Sequence, residues 1–156
     1  MREAIVGRWL LGMVLGLTLA VSAAGQGAPS FPTGSISLVT EDGDEHAFTV
    51  ELARTREQIE WGLMYRRSLA QDHGMLFIYP DVRHVTMWMK NTKIPLDMLF
   101  LDAGGEVVRI VERAEPESTK SIPSGEPVRA VLEVAGGTAE RLDLEPGAEV
   151  RHPVFD

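Results

Sequence analysis

Alternation of apolar and polar residues is the main local pattern of the chain, and it predicts short strands. The clearest example is residues 46–52, where every second residue is apolar or histidine. Asp42 and Gly43 precede it, and an Asp-Gly pair supplies the positive φ that a tight hairpin turn needs. Residues 35–40 and 46–52 are therefore predicted to form a hairpin.

Further strands and helices follow from the same reasoning. Thr55 and Gln58 have the spacing of a capping box, which predicts a helix from there to about residue 63. A second short helix or turn is predicted at residues 138–142. The remaining strand candidates are residues 74–79, 85–89, 96–102, 106–114, 128–134 and 148–154. About eight short strands with one or two short helices indicate a mostly β (α+β) fold, a small antiparallel or mixed β-barrel.

The first 24 residues have the pattern of a cleaved secretory signal peptide. Two arginines precede an apolar run at residues 9–21, which is shorter than the roughly 20 residues that a spanning helix needs. Small residues follow, and residues 25–34 are typical of a linker. We therefore expect a single β-rich domain at residues 35–156, exported to the periplasm or secreted, with no stable membrane insertion after cleavage.

Composition narrows the expected partners. The chain of 156 residues has no cysteine, which excludes disulfides and a lipid-modified cysteine. Its formal net charge is −8, and binding to nucleic acid needs clustered lysine and arginine. We expect a small polar ligand or a peptide as partner, and no nucleic acid.

A polar elbow between two apolar segments is the strongest candidate for a binding site. Lys90, Asn91 and Thr92 follow residues 85–89 and lie close in sequence to Trp88. An indole ring beside hydrogen-bonding groups suits a small polar ligand. The alternative is a simple turn, because asparagine and threonine favour turns through local hydrogen bonds.

Two carboxylates occur in apolar strands, Asp97 and Glu133. If they share a pocket, their altered pKa values would suit a general acid and base. The alternative is structural, with Asp97 paired to Lys90 or capping the elbow through backbone N–H groups, and Glu133 paired to Arg129 or Arg66. The sequence leaves open whether the protein is an enzyme.

Met87 and Met89 are weak candidates for a metal site. They share one face of a predicted strand, and thioether groups can bind Cu(I). Methionine is also an ordinary core residue. Nucleotide-binding and nucleophile motifs are absent from the sequence, and no cofactor is expected.

Several stretches together resemble the bacterial and archaeal family known as domain of unknown function 192. The most specific is residues 87–92, Met-Trp-Met-Lys-Asn-Thr, and the others are residues 62–66, 74–77, 95–100 and 131–133. The likeness runs from about residue 48 to about residue 150. It implies a single small β-rich domain, often behind an export signal, and implies no known activity.

The leading hypothesis is an exported binding or accessory module for a small polar ligand or peptide. The alternatives are a hydrolase of cell-envelope carbohydrate that uses Asp97 and Glu133, and a Cu(I)-binding periplasmic protein. The candidate ligand-binding residues are Trp88, Lys90, Asn91, Thr92, Asp97, Arg66, Arg129 and Glu133.

Overall fold

The computed structural model describes residues 27–156, so the predicted signal peptide lies outside the described residues. The strands are β1 (Thr33–Val39), β2 (Glu45–Ala53), β3 (His73–Arg83), β4 (Thr86–Met87), β5 (Leu96–Leu101), β6 (Val107–Ala114), β7 (Ile122–Pro123), β8 (Val128–Ala135) and β9 (Glu149–Arg151). The helices are α1 (Arg56–Trp61) and α2 (Thr138–Leu142). The predicted fold class, mostly β with two short helices, is confirmed. Neither of these helices is long and apolar enough to cross a membrane.

Seven strands form one mixed sheet in the order β6-β5-β8-β3-β2-β1-β9, and β4 pairs with β7 separately. The β2–β3 pair is parallel, whereas the other neighbours in the sheet are antiparallel. Because parallel neighbours need a crossover connection, α1 and the loop after it carry the chain from β2 to β3.

The two edge strands of this sheet meet, which gives it a barrel-like curl. Glu106, just before β6, pairs with Glu149 of β9, and the Val150 N–H donates to the Gly105 carbonyl at 2.8 Å. Gly105 has a φ of 89°, and a Cβ there would collide with the Val150 carbonyl. Glycine is therefore required where the sheet closes.

Apolar residues form two cores, one on each side of the sheet. The inner core, enclosed by the curl, includes Leu38, Val50, Leu76, Leu99, Leu132, Val134, Ala139 and Val150. The outer core lies between the other face and the segments that cover it, and includes Leu63, Met75, Phe77, Met87, Met89, Met98, Phe100 and Val131. β3, β5 and β8 are therefore buried on both faces, as the apolar run at residues 74–79 predicts.

Most predicted elements are confirmed, and the differences have physical causes. The hairpin of β1 and β2 forms, and α1 begins with the predicted capping box but ends at Trp61. β3 continues through Pro80 to Arg83 because its pairing shifts register there, and such an irregularity tolerates proline. The strand predicted at residues 85–89 shrinks to β4, since its partner ends in Pro123, which has no N–H to extend the ladder.

Candidate functional site

A small pocket lies over the outer face of the sheet, between the end of α1 and the polar elbow. Its walls are residues 59–64, together with Phe77, Met87, Trp88, Lys90, Thr92 and Glu133. The space open to the centre of a water-sized sphere is about 20 Å³. That is room for about one water molecule or a chemical group of similar size.

Hydrogen bonds hold the two sides of the pocket together. The Tyr65 backbone N–H donates to the Asn91 carbonyl at 2.8 Å, and the Asn91 side-chain amide donates to the Met64 sulfur at 3.8 Å. Tyr65 has a φ of 64° and Asn91 a φ of 57°, in the left-handed region that side chains rarely adopt. Such conformations persist only where the surrounding structure holds them, and they often mark functional sites.

Aromatic rings line the mouth of the pocket. Trp88 is 48% exposed, and the Lys90 ammonium lies 5.2 Å from the centre of its ring. Trp61 forms a tilted pair with Tyr65, whose exposed fraction is 54%, with ring centres 5.6 Å apart. Large exposed rings beside a cavity are typical of a binding surface.

Glu133 lies at the floor of the pocket. In β8 it is opposite Met75 of β3 and Met98 of β5, both fully buried, and its own side chain is 4% exposed. Within residues 27–156, its carboxylate has no hydrogen-bond or ion-pair partner. Burial without such compensation raises the pKa of Glu133 to about 8. The group is therefore mostly protonated at neutral pH.

Tyr79 belongs to the same buried environment. Its hydroxyl donates to the Met87 sulfur at 3.5 Å. Burial, and secondarily the nearby charge of Glu133, raises the pKa of Tyr79 to about 12. Tyr79 therefore stays neutral at neutral pH. Because a tyrosine never carries a positive charge, it forms no ion pair with Glu133.

The structure separates the two carboxylates that the sequence paired. Asp97 is opposite Val134, one residue along β8 from Glu133, so the two side chains leave opposite faces of the sheet. Asp97 is fully buried and accepts backbone N–H groups from Arg113, Gly137 and Ala139 at 2.7–3.1 Å. The predicted acid–base pair is therefore wrong, because the two side chains lie on opposite faces of the sheet.

The predicted ion pairs are also wrong. Arg66 forms a salt bridge with Glu51, at 2.6 Å, rather than with Glu133. Arg129 is outside the pocket, and its Nη1 atom is buried without a partner among the described residues. Of the eight candidate ligand-binding residues, four line the pocket, namely Trp88, Lys90, Thr92 and Glu133.

The two methionines considered for Cu(I) lie in the outer core. Met87 is 8% exposed and Met89 is fully buried, while Trp88 between them faces outward, as the predicted alternation requires. Residues 27–156 contain no group of three or more histidines, aspartates and glutamates placed to hold a metal ion. These positions are those of ordinary core side chains.

The α1 side of the pocket was not predicted from the sequence. Ile59, Glu60, Trp61 and Met64 line it, and none of them was among the candidate ligand-binding residues. An available signal was the aromatic and apolar run Trp61-Gly62-Leu63-Met64 directly after a capped helix. Such a run covers neighbouring structure or contributes to a binding surface.

Comparison with known proteins places the chain in a family. Residues 37–152 match the model of domain of unknown function 192, described as an uncharacterized ACR. The chain belongs to this family. No curated protein sequence matches it significantly.

Two solved structures are similar to the chain over most of its length. One, from Sinorhizobium meliloti 1021, has been proposed to be a transcription regulator; it is 48% identical, with a TM-score of 0.78, over 80% of this chain and 97% of that one. The other, a protein of unknown function from Novosphingobium aromaticivorans DSM 12444, is 37% identical, with a TM-score of 0.74, over 77% of this chain and 85% of that one.

Proposed function

We propose that this member of the family is an exported binding module whose ligand site is the pocket between α1 and the elbow. The observation that carries the proposal is the carboxyl group of Glu133, which is 4% exposed, has no described protein partner and lies at the floor of a pocket whose mouth holds the exposed ring of Trp88. Such a group has to pair with water or with a ligand in the pocket. Thr92 provides a further polar group in the wall of the pocket.

The size of the pocket limits how a ligand binds. About 20 Å³ accepts one small polar group and not a whole sugar ring. The rest of the ligand therefore lies across the mouth, against Trp88 and Trp61. This arrangement suits a peptide or a small molecule with a projecting polar end, as in the leading hypothesis from the sequence.

Export is part of the same proposal. Its support is the apolar run at residues 9–21, with arginines before it and small residues after it. N-terminal sequencing of protein from a periplasmic fraction tests it, with cleavage expected near residue 24. Protein found only in the cytoplasm, with the leader intact, would contradict it.

The tryptophans provide a direct assay for the ligand site. The chain has three, and either cleavage near residue 24 or, in the uncleaved chain, Trp9→Phe leaves only Trp61 and Trp88, which both line the pocket. Fluorescence of this two-tryptophan chain is then measured against a panel of cell-envelope sugars, peptides and amines. We expect a saturable change that Trp88→Ala and Glu133→Gln both weaken.

Control variants come from the same surface. Val82 is 46% exposed, close to the exposure of Trp88, but is outside the pocket, so Val82→Ala should leave binding unchanged. Lys93 lies on the elbow but does not line the pocket, so Lys93→Ala is the control for the Lys90→Ala variant described below. Binding that survives both Trp88→Ala and Glu133→Gln would reject this pocket as the site.

The alternatives receive less support. A glycoside hydrolase with paired carboxylates needs both groups at one cleft, and the sheet lies between them. The role proposed for the S. meliloti relative does not by itself imply contact with DNA here, because a chain with a net charge of −8 repels phosphate groups. Neither alternative explains the partnerless Glu133.

A further inference from the structure

The floor and walls of the pocket have different chemistry. Glu133 is a lone potential anion at the floor, whereas Leu63, Met64, Phe77 and Met87 make most of the wall apolar. A ligand that enters deeply must therefore have a polar tip that pairs with a carboxylate and a stem that contacts apolar side chains. The room for about one water-sized group sets the dimensions of the tip.

The rings at the mouth select for positive charge. The faces of tryptophan and tyrosine attract cations, and the Lys90 ammonium already lies 5.2 Å from the centre of the Trp88 ring. Trp61 also lines the pocket, and its ring pairs with that of Tyr65. An ammonium group in the pocket therefore lies near two tryptophan rings as well as Glu133.

We infer that the ligand presents a primary ammonium group on an unbranched alkyl stem, with its nitrogen against the Glu133 carboxylate and its methylene groups against Met64 and Met87. This inference rests on the proposed function and specifies the class of ligand. A lysine side chain of a peptide and a free alkyl diamine share this chemistry. A primary ammonium is smaller than a guanidinium or trimethylammonium group, and the whole pocket has room for about one water-sized group.

Lys90 acts as an internal competitor in this arrangement. Its ammonium occupies the face of Trp88 and carries the same charge as the ligand. Removing it should strengthen binding of an ammonium ligand and weaken binding of an anionic one. The direction of the Lys90→Ala effect therefore distinguishes the two ligand charges.

Binding should also depend on pH. Glu133 must lose its proton to pair with an ammonium, and its pKa in the free protein is about 8. The titratable groups that share its surroundings are Tyr79 from β3, Lys90 from the elbow and Glu60 from α1. An alkylammonium stays charged to about pH 10, so we expect affinity to rise about 50-fold between pH 6 and pH 8.

The test uses the Trp9→Phe chain and four probes with stems of similar length. Cadaverine and Nα-acetyl-lysine amide carry the ammonium, 1-pentanol is the neutral control and glutarate is the anionic control. We expect the two ammonium probes to bind best, with affinity reduced about tenfold or more by Glu133→Gln and increased by Lys90→Ala. Whichever of these two probes binds more tightly shows whether a free diamine or the lysine side chain of a peptide is the better ligand.

The outcomes separate this inference from the proposed function. Binding of glutarate, pentanol or a sugar that Trp88→Ala abolishes, with no binding of the ammonium probes, would overturn the ammonium inference and retain the ligand site. Ammonium binding that Glu133→Gln does not weaken would overturn it as well. If no compound of the panel changes the fluorescence of Trp61 or Trp88, both proposals are overturned.

Discussion

Asp97 and Glu133 are buried carboxylates on neighbouring strands, and their surroundings are opposite. Asp97 faces the inner core and accepts backbone N–H groups from three residues, two of them at the start of α2. Glu133 faces the outer core, between Met75 and Met98, and has no described partner. The inner carboxylate thus connects α2 and β6 to β5, whereas the outer one remains available to a ligand or a proton.

Burial alone therefore does not assign a role to a charged residue. A carboxylate with several backbone donors is stable as an anion inside a protein, because the donors replace its hydration. A carboxyl group without such donors is costly to ionise inside a protein. Proteins keep such a group only where another interaction offsets this cost. Glu133, rather than Asp97, is therefore the functional candidate.

The largest expected effect is on stability as a function of pH. The pKa of Glu133 is about 8 in the folded protein against 4.5 for an unperturbed glutamate, so the folded state holds a proton that the unfolded state has lost between these values. Stability is therefore complete at low pH and falls as pH rises toward 8. We expect a loss of about 4 kcal/mol between pH 5 and pH 9.

Urea denaturation of wild type and Glu133→Gln across this range checks the prediction. The difference between their free energies of unfolding isolates this one group, since other titrating groups are common to both. The variant should become the more stable of the two as pH rises. A difference that stays constant with pH would show that Glu133 titrates normally.

Asp97→Asn should have the next largest effect. An amide in place of the carboxylate brings N–H groups toward the backbone donors of Arg113, Gly137 and Ala139, and leaves some of them unpaired. We expect a loss of about 3 kcal/mol in the free energy of unfolding.

Asp102→Asn is a matched control for this variant. Asp102 accepts two backbone N–H groups, from Gly104 and Glu106, in an exposed turn. The same substitution should cost less than about 1 kcal/mol there, because water can pair with the released groups. Equal losses at the two positions would mean that burial does not strengthen the role of Asp97.

Much of the fold follows from local signals in the sequence. Asp42-Gly43 predicts the first hairpin, Thr55 and Gln58 predict the start of α1, and the apolar run at residues 74–79 predicts a strand buried on both faces. These features depend on residues close in sequence. The barrel-like closure at Gly105 depends on a strand about 45 residues away, and its glycine resembles any turn glycine in the sequence.

The site was predictable only in part, for the same reason. Trp88 and Lys90 stand out as polar and aromatic residues at a strand end, and both line the pocket. Whether Asp97 and Glu133 share a face depends on the register between β5 and β8, and a shift of one residue would reverse it. Composition and periodicity do not determine that register.

Thr55→Ala should have a smaller effect, confined to the outer side of the sheet. The Thr55 side chain accepts the Gln58 N–H at the start of α1, and α1 leads directly into the wall of the pocket. We expect a loss of about 1 kcal/mol, the usual value for a cap. Thr55→Ser should retain most of the stability, and a similar loss in both would assign the effect to the methyl group.

Trp88→Ala should have the smallest effect on stability and a large effect on binding. Half of the ring is exposed, and its Lys90 partner is an exposed surface group, so we expect a change within about 0.5 kcal/mol, like that of Val82→Ala. A ring that stabilised the fold by 2 kcal/mol or more would belong to the outer core rather than to a binding surface. Urea titration of the two variants therefore decides whether the Trp88 ring belongs to the outer core or to the exposed surface of the outer face.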